Sequence, residues 1–145
     1  MTAPIAAMRV IEGCSADALP LDELLREGQP ALLKGIARDW GLAKAGLRST
    51  EEAMSYLRGF DSGTPVQYSH GGPEIGGRPF YNQAFTELNF QVRRGGLGEV
   101  LEAISSHLDD ALPPTYYVAS LLVDGALPGF AQENDLGLAE LGIQA

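Results

Sequence analysis

The chain has 145 residues, enough for one domain with a sizeable core, and its 45% hydrophobic and 20% charged residues are an ordinary globular balance. Its net charge of −9 is unevenly laid out: all ten Lys and Arg lie at or before Arg94, whereas residues 95–145 carry eight acids and no Lys or Arg. That excludes a basic footprint for DNA or RNA, and no apolar run reaches the length of a membrane span.

In chain order, Arg9-Val10-Ile11-Glu12 reads as a first strand. Leu21–Glu27 follows Pro20 and stops at Gly28, the pattern of a short helix with a glycine terminator. Pro30 to Ile36 reads as a strand. Its centre, Ala31-Leu32-Leu33, does not alternate with polar residues, which predicts burial on both faces. Ser49-Thr50-Glu51-Glu52 is a capping box, with the Ser49 hydroxyl accepting from the third helical N–H and Glu52 reaching back. The helix it opens is expected to run to about Arg58, with Ala53, Tyr56, Leu57 and Phe60 on one side and Gly59 marking its end.

Pro65 to His70 alternates, so Val66, Tyr68 and His70 share one face of a strand. Gly71 to Arg78 is turn-rich, Pro79-Phe80-Tyr81 is expected to start the return strand, and Phe85 to Val92 leaves helix and strand open. Leu97 to Leu108 is the clearest helix: Leu97, Val100, Leu101, Ile104 and Leu108 form one stripe at 3.6 residues per turn. Pro113-Pro114 stops it. Thr115 to Val123, rich in β-branched and aromatic residues, reads as the strongest strand, apolar on both faces. A short helix is expected near Phe130, and Leu136 to Ala145 carries no clear terminator.

Cys14 is the single cysteine, so no intrachain disulfide and no cysteine metal cluster is possible. Met1 to Arg9 has neither a basic start nor a long apolar core and does not read as a signal peptide, so a cytoplasmic location is expected. The acid-rich second half reads as a solvated face. The sharper alternative is a surface that meets cationic groups from another chain or from sequence outside these residues.

His107-Leu108-Asp109 spells two-thirds of an iron facial triad, which needs a second His to complete it. No His follows it, and its place in the last turn of a helix suits an imidazole near the negative helix end. His70, the other His, ends a strand beside two glycines, and a structural or loop role is preferred for it. Gly71 to Gly77 lacks the G-x-G-x-x-G and G-K-[ST] patterns of phosphate loops and reads as a hairpin connection. No nucleophile motif is present. Trp40 reads as a packing anchor. Tyr116 and Tyr117 must point to opposite faces of their strand: either both serve core and edge packing, or one offers its phenol to a carboxylate in a pocket.

Four segments carry a resemblance: Pro30 to Trp40, Tyr56-Leu57-Arg58-Gly59-Phe60, Gly76 to Asn82, and Tyr116-Tyr117-Val118-Ala119-Ser120. In their order and spacing, from about Val10 to Ala145, the chain resembles bacterial cupin-like, JmjC-type proteins, departing at Gly41 where that family often has Pro. The resemblance implies one domain over residues 1–145 of α+β class: a mixed α/β N-terminal region and the first strands of a double-stranded β-helix, its barrel incomplete. It implies Fe(II) and 2-oxoglutarate for a full-length relative of the oxygenase (hydroxylase) type, with an H-x-D/E pair and a distal His that these residues do not contain. The chain is therefore expected to be an N-terminal part, truncated before the metal-binding half and inactive alone, with no catalytic residue and no metal ligand assigned. By the same resemblance Tyr117 matches a tyrosine that hydrogen-bonds the distal carboxylate of 2-oxoglutarate. Ser120 is placed on the opposite strand face and is not carried over. The rival expectation is a non-catalytic binding or dimerisation module. In both cases the apolar strand from Thr115 is expected to be exposed and available for homo-oligomer formation.

Overall fold

The computed structural model describes residues 8–15 and 18–137. The leader reading of Met1–Ala7 and the tail from Leu138 onward lie outside the described residues.

Strand β1 (Arg9–Ile11) pairs in parallel with β2 (Ala31–Leu33), Val10 opposite Leu32. Between them lies helix α1 (Leu21–Glu27), which stops as expected at Gly28: φ of 59° lets its N–H reach the Leu24 carbonyl at 3.0 Å. Arg9 donates to both Glu23 and Glu27 at 2.6 Å, tying β1 to this helix. The expected two-sided burial of β2 is not found. Leu32 is 46% exposed, because this two-stranded sheet leaves one side uncovered among the described residues. Beyond Leu33 the chain turns instead of extending to Ile36.

Helix α2 (Gly41–Arg48) has no counterpart among the elements read from sequence. Its two glycines weaken the local signal, and packing on the next helix compensates, with Ala45 buried. Ser49 ends α2 and caps α3 (Thr50–Phe60), its hydroxyl accepting from the Glu52 N–H at 3.1 Å. The reciprocal half of the expected capping box is absent, since the Glu52 carboxylate pairs with Arg48 instead. The helix also runs through Gly59 to Phe60 and ends at Asp61. Met54, outside the expected stripe, is its buried residue.

Strand β3 (Val66–Gly71) appears where alternation placed it. The return strand is not at Pro79 to Tyr81, where a single bridge joins Tyr81 to Leu88, but at β4 (Gln91–Gly95). Helix α4 (Leu97–Ser105) follows, with the Glu99 carboxylate accepting from the Gly96 N–H at 3.1 Å. It is shorter than the stripe suggested: Leu108 lies past its end and is exposed.

The largest departure is β5, which spans only Thr115–Tyr117. Ser120 takes a left-handed backbone (φ 53°), so the chain leaves the sheet, turns Val118 and Leu121 onto the core, and enters helix α5 (Val123–Ala126). The short helix expected near Phe130 is a 3-10 turn over Phe130–Glu133.

The larger sheet has the antiparallel order β4-β3-β5. One of its faces packs on α3 and α4 through Met54, Val66, Leu97, Leu101, Ala126 and Leu127. The architecture is mixed α/β with two small sheets, and among the described residues no barrel closes. No helix is long and apolar enough to cross a membrane among them.

A polar latch ties the start of α2 to the segment after α5. Asn134, buried, accepts from the Leu42 N–H at 2.9 Å and donates to Tyr56 Oη at 2.9 Å and to the Phe130 carbonyl at 2.8 Å. Tyr56 donates to Glu133 at 2.7 Å, and the Trp40 indole donates to the Asp135 carbonyl at 3.0 Å. Burial first, then the hydrogen bond to Glu133, holds the Tyr56 phenol above its ordinary pKa. A Cβ at Gly41 would collide with Tyr56 Oη, which accounts for glycine after Trp40.

Candidate functional site

Residues directly opposed in an antiparallel sheet point the same way, so the pairing sorts the β4-β3-β5 side chains into two faces. Val66, Tyr68 and His70 share one with Arg93, Gln91 and Tyr116. Gln67 and Ser69 share the other with Arg94, Val92 and Tyr117. Val66, 2% exposed, anchors the first face in the core.

On this packed face Tyr116 meets His70 edge-on, ring centroids 4.8 Å apart, and tilts over Tyr68 at 6.3 Å. Burial, and then the positive charge of Arg93, push the His70 pKa below the usual histidine value, with Glu74 opposing. His70 is thus a packed, neutral imidazole at neutral pH, in keeping with its structural reading.

The second face is open. Tyr117 is 55% exposed, and Val92 across Ser69 is exposed as well. Arg94 is the charged residue of this face among the described strand residues, and it forms no salt bridge among the described residues. Gln67, Arg94, Ser120 and Leu121 line a cavity of about 320 Å³ on this flank of the sheet. Ser120, expected on a strand face opposite Tyr117, sits past the end of β5 in the wall of that cavity. An open sheet face with a phenol, a carboxamide and an unpaired guanidinium can donate hydrogen bonds to an anion.

His107 Nδ1 lies 2.7 Å from Asp110 Oδ2, so the imidazole partners Asp110 and not the Asp109 of the H-x-D spelling. Among the described residues no three His, Cys, Asp or Glu side chains converge to hold a metal ion. Cys14 is buried, its thiol directed at the Ile11 carbonyl. The loop after β3 contains a 3-10 turn over Pro73–Ile75.

Sequence reading missed Arg94 and Gln67 as companions of Tyr117. The alternation around β3 places Gln67 opposite Val66, but Arg94 joins it only through the register with β4. The Asn134 latch was not legible at all, since its partners Leu42 and Tyr56 lie 92 and 78 residues away in the chain.

Comparison with curated proteins gives no match, nor does comparison with solved structures. A family model described as a cupin-like domain matches residues 16–145, nearly the whole of the chain. The chain belongs to the cupin-like domain family.

Proposed function

We propose that these residues form the N-terminal, scaffold-building part of a protein of the Fe(II)- and 2-oxoglutarate-dependent oxygenase type, inactive by themselves. In this reading β3, β4 and β5 are the first strands of a JmjC-type double-stranded β-helix, and the open sheet face is the side that chemistry would use. The observation that carries the reading is the family match over residues 16–145 together with Tyr117 standing exposed on the uncovered face beside Ser69. Tyr117 is the residue proposed to donate its hydroxyl to the distal carboxylate of 2-oxoglutarate. Arg94, on the same face, adds the positive charge a dianion needs.

The donor set does not fit Fe(II). His70 belongs to the packed face, His107 is engaged by Asp110, and no third ligand joins either among the described residues. No step through iron is therefore assigned to these residues. The single cysteine accords with a reducing cytoplasm.

The test is turnover. Purified protein supplied with Fe(II), ascorbate and 2-oxoglutarate is expected to form no succinate above the protein-free control, and succinate formation would contradict the proposal.

A second reading, a non-catalytic binding or dimerisation module, draws on one observation. β5 has a single strand partner among the described residues, and Tyr117 on it and Leu122 after it are exposed. A concentration-dependent dimer in sedimentation would favour that reading, and a monomer throughout would count against it.

A further inference from the structure

The segment between β3 and β4 is an arm that holds large apolar side chains in solvent. Phe80 is 59%, Tyr81 50%, Phe85 71% and Leu88 48% exposed. The three rings touch one another edge-on or tilted, with centroids 5.4, 6.3 and 6.4 Å apart. The arm beneath them is tied together. The Asn89 carboxamide accepts from the Phe80 N–H at 2.7 Å and donates to the Arg78 carbonyl at 3.0 Å, and Asn82 accepts from the Thr86 N–H at 3.1 Å. Phe85 takes a left-handed backbone (φ 55°), uncommon for a bulky residue. Strain of that kind persists where the surroundings fix it, and here it keeps a ring exposed.

A cavity of about 530 Å³ adjoins the base of this arm, because Gly76 and Gly77 form part of its wall. Leu108, Leu112 and Pro113 make the wall mainly apolar, and Leu112 is 73% exposed. The His107 ring and the Thr115 and Tyr116 hydroxyls line it too. Tyr81 on the arm carries a hydroxyl that both donates and accepts, so it suits these groups whichever proton His107 holds. Charge divides along the same line. Arg78 follows Gly77 on the arm side, and Asp109 follows Leu108 on the α4 side. Both are exposed, and neither enters a salt bridge among the described residues.

Arm and cavity therefore form one continuous patch, with rings and a cation at one end and a hollow and an anion at the other. A two-fold rotation lays such a patch on itself with opposites facing. Three aromatic side chains of roughly 150–250 Å² each supply much of the roughly 800 Å² per partner that a specific dimer buries. We propose that this patch is a homodimer interface, the aromatic arm of each chain seated in the cavity of the other and Arg78 facing the partner's Asp109. The surface differs from the free edge of β5 and from Leu122, so this proposal and the dimerisation reading above fail separately.

Sedimentation equilibrium of the 145-residue protein tests it. The wild type is expected to show a reversible monomer–dimer equilibrium, weakened about tenfold by Phe85→Asn and unaffected by Leu122→Ser. Asparagine tolerates the left-handed backbone, so the first variant removes the ring and keeps the arm. Arg78→Glu and Asp109→Arg are each expected to dimerise less tightly than the wild type. Mixed together they are expected to regain its affinity, since each arm then meets the opposite charge. Circular dichroism verifies that the variants keep the helix content. A wild type that stays monomeric, a dimer indifferent to Phe85→Asn, a dimer lost on Leu122→Ser, or a mixture no tighter than its components would overturn the proposal.

Discussion

The two faces of the β4-β3-β5 sheet are built from alternate residues of the same strands, yet they have opposite fates. One buries Val66 against α4 and stacks Tyr68, His70 and Tyr116 into an aromatic row. The other leaves Tyr117, Val92, Gln67 and Arg94 uncovered. Stability therefore concentrates on the first face, and the groups free to meet an anion sit on the second.

Neighbouring tyrosines give the sharpest break of this comparison. Tyr116→Ala is expected to cost about 2–3 kcal/mol, because it empties a packed aromatic row. Tyr117→Ala, one residue on, is expected to change stability by no more than about 0.5 kcal/mol. Urea denaturation of both variants measures the difference, and equal losses would mean that the faces are not distinct.

A smaller effect comes from His70. Its folded pKa lies below its unfolded value, so the unfolded chain binds the proton first as pH falls. The stability His70 contributes is thus complete above the ordinary histidine pKa of about 6.5 and is lost as pH falls through the folded value. His70→Phe is expected to flatten the stability profile as pH falls below the ordinary histidine pKa of about 6.5. A profile as steep as that of the wild type would remove His70 from the packed face's electrostatics.

Local signals explain why some elements were readable. The Leu97–Ile104 stripe, the Ser49 cap and the Val66–His70 alternation each act within one or two turns of chain, and each formed close to where it was expected. The failures share a different cause. Thr115 to Val123 has strong strand propensity, but the left-handed backbone at Ser120 and the pull of Val118 and Leu121 toward the core end the strand after three residues. Helix α2 has weak propensity and forms by packing on α3. The candidate site was half legible: Tyr117 came from resemblance, and its exposed side of the sheet was fixed by the pairing of Tyr117 with Ser69. Arg94 joins it across a strand register that periodicity alone does not determine.

The central claim is that this cupin-like scaffold carries no iron centre of its own. Anaerobic equilibrium dialysis against Fe(II), with bound metal measured by elemental analysis, tests it most directly. The account predicts well below one iron per chain, unchanged in a His70→Ala/His107→Ala variant, whereas one iron per chain, lost on that double substitution, would contradict it.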